Sequence, residues 1–250
     1  LTVDMASEHG CAVDGLGDIH CWGDNTFGRV SPTAEETILG PAVFSHPRVD
    51  FVDVCTTDAA TCGLSERGRL ICWGTNNQGL LGTSLGVGAR VEEHIEPFPT
   101  RRFATVSCGG AHMCGTTFED ESVCWGSNDR GQVGAAIDDP VVGQPRAIAS
   151  PLQGTVYGNF SLSAKSTCAV TLKGDLYCWG DNSSKQLSGA VTNDSTNTPK
   201  VLQGIYLEGG DEEMEPAYVD EVAVGATHTC ANLRADRGLR CWGSNVYGQL

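Results

Sequence analysis

The chain has 250 residues, 40% of them hydrophobic, which suffices for a substantial buried core and argues against a disordered tail. Its formal net charge of −15, with a pI near 4.6, sets it against phosphate backbones and so against direct nucleic-acid binding. No stretch is long and apolar enough to span a membrane as a helix.

Read in chain order, the sequence repeats itself. A first strand, Leu1-Thr2-Val3-Asp4-Met5, leads to Cys11, then to turn residues at 14–18, then to Cys21-Trp22-Gly23-Asp24-Asn25. Phe51-Val52-Asp53-Val54 leads in the same way to Cys62, a Glu66-Arg67-Gly68 turn and Cys72-Trp73-Gly74. Phe103-Ala104-Thr105-Val106 leads to Cys114 and Cys124, and the fourth unit carries Cys168, Lys173-Gly174-Asp175 and Cys178. Val222-Ala223-Val224 opens the fifth, with Cys230, Asp236-Arg237-Gly238 and Cys241. All five tryptophans lie in the Cys-Trp-Gly-x-Asn phrase.

The phrases follow one another at intervals of 51, 52, 54 and 63 residues, which is the range of propeller blades and too long for leucine-rich or ankyrin repeats. Two short runs joined by a glycine-bearing turn are a hairpin signal, and no stretch shows helical periodicity. The expectation is an all-β chain.

The two cysteines of each hairpin are 10 residues apart in four units and 11 in the fifth. Such spacing makes them direct cross-strand partners, about 4.5–5.5 Å apart at Cα and within disulfide reach. Five local disulfides are expected: Cys11–Cys21, Cys62–Cys72, Cys114–Cys124, Cys168–Cys178 and Cys230–Cys241. Reduced core cysteines and zinc ligands are the alternatives, but zinc sites of this kind use closer spacings and no C-x2-C occurs. Cys55 and Cys108 stand seven and six residues before their hairpin cysteines, so they face opposite sides of their strands. Adjacent blades pack by opposite faces, so a Cys55–Cys108 bridge between blades is expected. Twelve paired cysteines point to an oxidising compartment, extracellular or at the cell surface. Sequons at Asn159, Asn182 and Asn193 are compatible with glycosylation there.

The pattern resembles the regulator of chromosome condensation (RCC1) repeat. The last unit carries the resemblance most fully, with Gly225-Ala226-Thr227-His228-Thr229-Cys230-Ala231 followed by Cys241-Trp242-Gly243-Ser244-Asn245-Val246-Tyr247-Gly248-Gln249-Leu250. Gly79-Leu80-Leu81-Gly82 and Gly131-Gln132-Val133-Gly134 match the family's closing turn, whereas Lys185-Gln186-Leu187-Ser188 departs from it. The cysteine-bearing form looks like a secreted branch that includes Crinkly4-type receptor ectodomains and bacterial extracellular repeat proteins. The resemblance implies a single RCC1-like β-propeller domain over residues 1–250, incomplete at both ends. Five hairpins would then be part of a seven-bladed ring, which needs about 360 residues by the repeat length; a closed five-blade ring is the alternative.

No nucleophile elbow, phosphate-cradling loop or zinc-protease motif occurs, so no catalytic residue, cofactor or metal ligand is assigned and an enzyme is not expected. His9, His112 and His228 recur two residues before a hairpin cysteine, and are assigned to hydrogen bonding within the repeat. Recognition is expected on two long insertions. One carries Glu92, Glu93 and Glu96; the other carries Asp211, Glu212, Glu213 and Glu215, a run suited to Ca2+ or a basic partner but more simply a solvated loop. The leading functional expectation is a secreted or surface propeller that binds protein partners in a receptor ectodomain, adhesin or extracellular assembly. Guanine-nucleotide exchange on a small GTPase and inhibition of a secreted enzyme are the alternatives.

Overall fold

The computed structural model describes residues 1–32, 36–44, 49–82, 85–149, 154–188, 191–202, 218–234 and 238–250. Its chain is all-β, with five antiparallel sheets and one short 3-10 turn at Asn77–Gly79. The sheets take their strands in sequence order. The first holds β1 (Thr2–Met5), β2 (His9–Val13), β3 (Ile19–Asp24) and β4 (Thr37–Phe44). The second holds β5 (Phe51–Thr56), β6 (Ala60–Ser65), β7 (Leu70–Thr75) and β8 (Arg90–Ile95). The third holds β9 (Phe103–Cys108), β10 (His112–Thr117), β11 (Ser122–Ser127) and β12 (Val141–Ala147), and the fourth β13 (Tyr157–Leu162), β14 (Ser166–Thr171), β15 (Leu176–Asp181) and β16 (Ser195–Val201). The fifth has three described strands, β17 (Val219–Val224), β18 (His228–Leu233) and β19 (Gly238–Gly243). This is the fold of an RCC1-like β-propeller.

The chain forms two compact units. One comprises residues 1–127 and 141–147 and contains the first three sheets; the other comprises 128–140 and 148–250 and contains the last two. In the first unit Trp73, Trp125, Phe103, Leu70 and Ile19 are fully buried in one apolar cluster. In the second unit Leu176, Leu187, Val219 and Leu233 form the corresponding cluster, with Trp242 packed against it. A fully buried tryptophan removes roughly 150–250 Å² from water, so Trp73, Trp125 and Trp179 dominate the packing of the second, third and fourth sheets, while Trp22 and Trp242 are partly buried.

The opening strands of the second to fifth sheets are not simply alternating, whereas β1 is. Phe51 and Val54, Tyr157 and Phe160, and Val219 and Val222 are buried three residues apart, with more exposed residues between. A register shift follows the first residue of each, between Phe51 and Asp53, Tyr157 and Asn159, and Val219 and Glu221. The bulge turns both large side chains to the same face.

The fourth strands do not show in the sequence pattern, because three of them contain proline. Pro41, Pro145 and Pro199 lie where the register with the preceding strand slips: Cys21 faces Ala42 but Gly23 faces Ile38, Cys124 faces Arg146 but Gly126 faces Val142, and Cys178 faces Lys200 but Gly180 faces Thr196. An outer strand tolerates proline at such a bulge, where no ladder N–H is required.

The glycine after each tryptophan is required. Gly74 and Gly180 have φ of 112° and 99°, and a Cβ on either would stand 2.5 and 2.4 Å from the carbonyls of Ala59 and Lys165. No L side chain fits there.

Candidate functional site

The hairpin cysteines are direct register partners in all five sheets, and every cysteine is disulfide-bonded. The hairpin pairs Cys11–Cys21, Cys62–Cys72, Cys114–Cys124, Cys168–Cys178 and Cys230–Cys241 have Cα separations of 4.0–4.1 Å, tighter than an ordinary cross-strand pair. Cys55 and Cys108 join the second sheet to the third.

The phrase asparagine holds the turn that follows it. Asn76 Oδ1 accepts the Leu81 N–H at 2.7 Å, and its Nδ2 donates to the carbonyls of Gly82 and Leu85 at 3.0 and 2.9 Å. Asn25, Asn128, Asn182 and Asn245 accept the N–H five residues on from each, at Val30, Val133, Leu187 and Leu250. That bond presents one carbonyl per turn, at Arg29, Leu80, Gln132 or Gln186, to the next repeat. Trp125 Nε1 donates to Leu80 O at 3.0 Å. Trp179 Nε1 and Thr167 Oγ1 both donate to Gln132 O, at 2.8 and 2.9 Å. Trp242 Nε1 and Thr229 Oγ1 both donate to Gln186 O at 2.8 Å. At Arg29 only the threonine donor is present, Thr61 Oγ1 at 2.7 Å, and the buried Trp73 Nε1 makes no hydrogen bond among the described residues.

Several of these turns lie in stretches that match one repeat family. The description "Regulator of chromosome condensation (RCC1) repeat" matches residues 103–132, 160–186 and 219–249 by one family model and residues 67–115 by another.

Residues 67–132, 160–186 and 219–249 match the RCC1 repeat.

The human E3 ubiquitin-protein ligase HERC2 is 27% identical over 237 residues, covering 94% of this chain and 5% of HERC2. Human WBSCR16 superposes with a TM-score of 0.82 at 18% identity, over 96% of this chain and 61% of that one. The ectodomain of the Physcomitrella patens receptor kinase CR4 superposes with a TM-score of 0.54 at 16% identity, over 97% and 50%. The chain thus spans less than two thirds of each of these proteins, and at such identities the structural likenesses establish the fold alone.

The recurring histidines lie in separate sheets, each opposite its phrase glycine: His9 opposite Gly23, His112 opposite Gly126 and His228 opposite Gly243. His9 Nε2 meets Thr61 Oγ1 at 2.9 Å, and burial, reinforced by the Arg29 charge, lowers its pKa to about 4. Complete burial lowers His112 to about 3. Both imidazoles are therefore neutral packing groups at physiological pH. No group of three or more His, Cys, Asp or Glu side chains among the described residues is placed to hold a metal ion.

An ionic cluster that sequence reasoning missed, with Glu8 exposed and Asp24 partly exposed, forms on the buried Arg29. Its side chain is 2% exposed; Nη2 donates to Glu8 Oε2 at 2.8 Å and to Asp24 Oδ1, Nε to Asp24 O, and Nη1 to Asp58 O. Arg29 stands where Gln132 and Gln186 stand in later repeats. Gln186 makes an amide version of the contact, to the equivalent Asp181, and Gln132 bonds Asp129 on the other side of its phrase asparagine.

The first acidic insertion, expected to carry recognition, includes a strand. Glu92 and Glu93 belong to β8, with Val91 and Ile95 facing Gly74 and Cys72, so the segment completes the second sheet. Glu93 is exposed, but Glu96 is bound internally, to Arg69 at 2.9 Å and Arg102 at 3.4 Å. Asp211, Glu212, Glu213 and Glu215, with the Ca2+ option they carried, lie outside the described residues. Asp220 at the end of that run is described, and pairs with Arg234 at 2.8 Å.

The three sequons differ sharply. Asn182 is completely buried and its Nδ2 is engaged by backbone carbonyls. Asn159 is exposed on β13, and Asn193 is exposed at the rim of a cleft of about 1070 Å³ in the second unit. Arg130, Asp138, Asn193, Thr196, Thr198 and Lys200 contribute polar groups to its mixed wall, with Ile137, Pro140, Val191 and Val201 among the apolar ones.

Proposed function

We propose that this chain is a secreted or surface-exposed RCC1-repeat propeller that acts by binding protein partners rather than by catalysis, as part of a receptor ectodomain, adhesin or extracellular assembly. The observation that carries the reading is that all twelve cysteines are paired, ten of them at the same register position of five successive hairpins. Such density of cross-links is stable only where thiols are oxidised. Propellers place recognition on loops, and fold alone does not name the partner.

The test is location in the native source. Protein recovered outside the cell, or labelled on intact cells by an impermeant reagent, is the expected result. A cytosolic or nuclear pool with reduced cysteines would transfer the chain to the second reading, guanine-nucleotide exchange on a small GTPase, which only the family name supports. Inhibition of a secreted enzyme stays an outcome of partner capture once the protein is found outside.

A further inference from the structure

We infer that Asn193 is an N-glycosylation site whose core sugar seats in the cleft of the second unit, and that the sequon at Asn182 is never used in folded protein. This rests on the extracellular reading for its natural occurrence, but the acceptor geometry is independent of it.

The two asparagines are neighbours with opposite fates. Asn182 has no exposed surface; its Nδ2 donates to Val191 O at 2.9 Å and Asn193 O at 3.1 Å, and its Oδ1 accepts the Leu187 N–H at 3.0 Å. A glycan on that nitrogen would replace a needed N–H and require space that the packed turn lacks. The same bonds fix the Asn193 backbone, and the Asn182 N–H donates to Asp194 O at 2.7 Å, so the buried sequon positions the exposed one. Asn193 itself is exposed and the sequon's Ser195 is partly exposed, both on the cleft wall. Residues 128–131, 137, 138 and 140 also line the cleft, with Arg130 and Asp138 among them, as do Thr196, Thr198 and Lys200. Hydroxyl, amide and charged groups interspersed with Ile137, Pro140, Val191 and Val201 suit a saccharide, which offers both hydroxyls and apolar C–H faces. Glycosylation of an Asn-x-Ser acceptor adds a bulky polar group at the surface, which this open cleft accommodates.

The experiment secretes the chain from a eukaryotic cell with a cleaved leader, and in parallel isolates it from its native source. Enzymatic deglycosylation in 18O-water then marks each occupied asparagine. Asn193 marked and Asn182 unmarked is the expected result; a disulfide-bonded secreted product with Asn193 unmarked overturns the site. Removal of the glycan by the amidase from native protein should be about tenfold slower than from denatured protein, because the core sugar must first leave the cleft. Equal rates overturn the seating. Marking of Asn193 in the secreted recombinant, combined with free thiols in native material, would reject the extracellular reading while leaving the acceptor geometry standing.

Discussion

The Asp4 carboxylate accepts the Thr56 backbone N–H at 2.6 Å and its hydroxyl at 2.9 Å, from the position on its strand that Cys55 occupies in the next sheet. Asp4 faces Cys11 and Cys55 faces Cys62; Thr56 and Cys108, which follow in turn, face Thr61 and Met113. The disulfide between Cys55 and Cys108 is thus the covalent version of a contact that the first two sheets make with hydrogen bonds. In the second unit Ser161 Oγ accepts the Val224 N–H at 3.0 Å from the same two positions.

This equivalence makes the bridge replaceable. Removing it as Cys55→Ser/Cys108→Ser should cost about 4 kcal/mol, the loop-entropy figure for a separation of 53 residues, read as a fall in the denaturant midpoint without reductant. The pair Cys55→Asp/Cys108→Thr should recover about 1 kcal/mol or more of that, as a charge-assisted hydrogen bond provides. No recovery would mean that the two positions are not equivalent.

The indole donors should rank by their acceptors. Trp125→Phe loses the bond to Leu80 O, and Trp179→Phe the bond to Gln132 O, each leaving a buried carbonyl with fewer partners. Trp73→Phe loses only volume, since its Nε1 has no acceptor among the described residues. Thermal unfolding should therefore place Trp73→Phe about 1 kcal/mol above the other two. Equal losses would sink the assignment of the carbonyl staples.

Asn76→Asp keeps the acceptor for Leu81 N–H but turns both amide donors into carboxylate lone pairs against the carbonyls of Gly82 and Leu85. A loss of about 3 kcal/mol or more is expected, against about 0–1 kcal/mol for the same change at the exposed Asn245.

Acid should destabilise the chain through its buried histidines. His9 and His112 titrate near 4 and 3 when folded, below the usual imidazole value of 6.5. The unfolded chain therefore binds more protons between those values, so stability falls as pH drops from about 6.5 and levels out below the folded pKa. For His9 the loss down to pH 4 is on the order of 3 kcal/mol. Urea midpoints measured against pH should flatten in His9→Gln relative to the parent; an unchanged slope would contradict the burial account.

The sequence displays side chains, and what it displayed was the hairpin: cysteine pairs in register, a tryptophan and a positive-φ glycine at fixed offsets. The offset of Cys55 against Cys108 carried the link between sheets for the same reason. The staples at Leu80, Gln132 and Gln186 were not legible, because their acceptors are backbone carbonyls that any residue supplies. Thr61, Thr167 and Thr229 were the available signal, one residue before each hairpin cysteine. The fourth strands were hidden by Pro41, Pro145 and Pro199, and β8 read as a loop because Glu92, Glu93 and His94 separate its apolar Val91 and Ile95.

The measurement that bears most directly on the account is intact mass with peptide mapping of native-source protein, alkylated before and after reduction. The account predicts no alkylation before reduction and twelve alkylated cysteines after it, with Cys11–Cys21, Cys62–Cys72, Cys114–Cys124, Cys168–Cys178, Cys230–Cys241 and Cys55–Cys108 as the linked peptides. Twelve cysteines alkylated without reductant would contradict it, and would make this an intracellular RCC1-repeat propeller held by its tryptophan and asparagine turns alone.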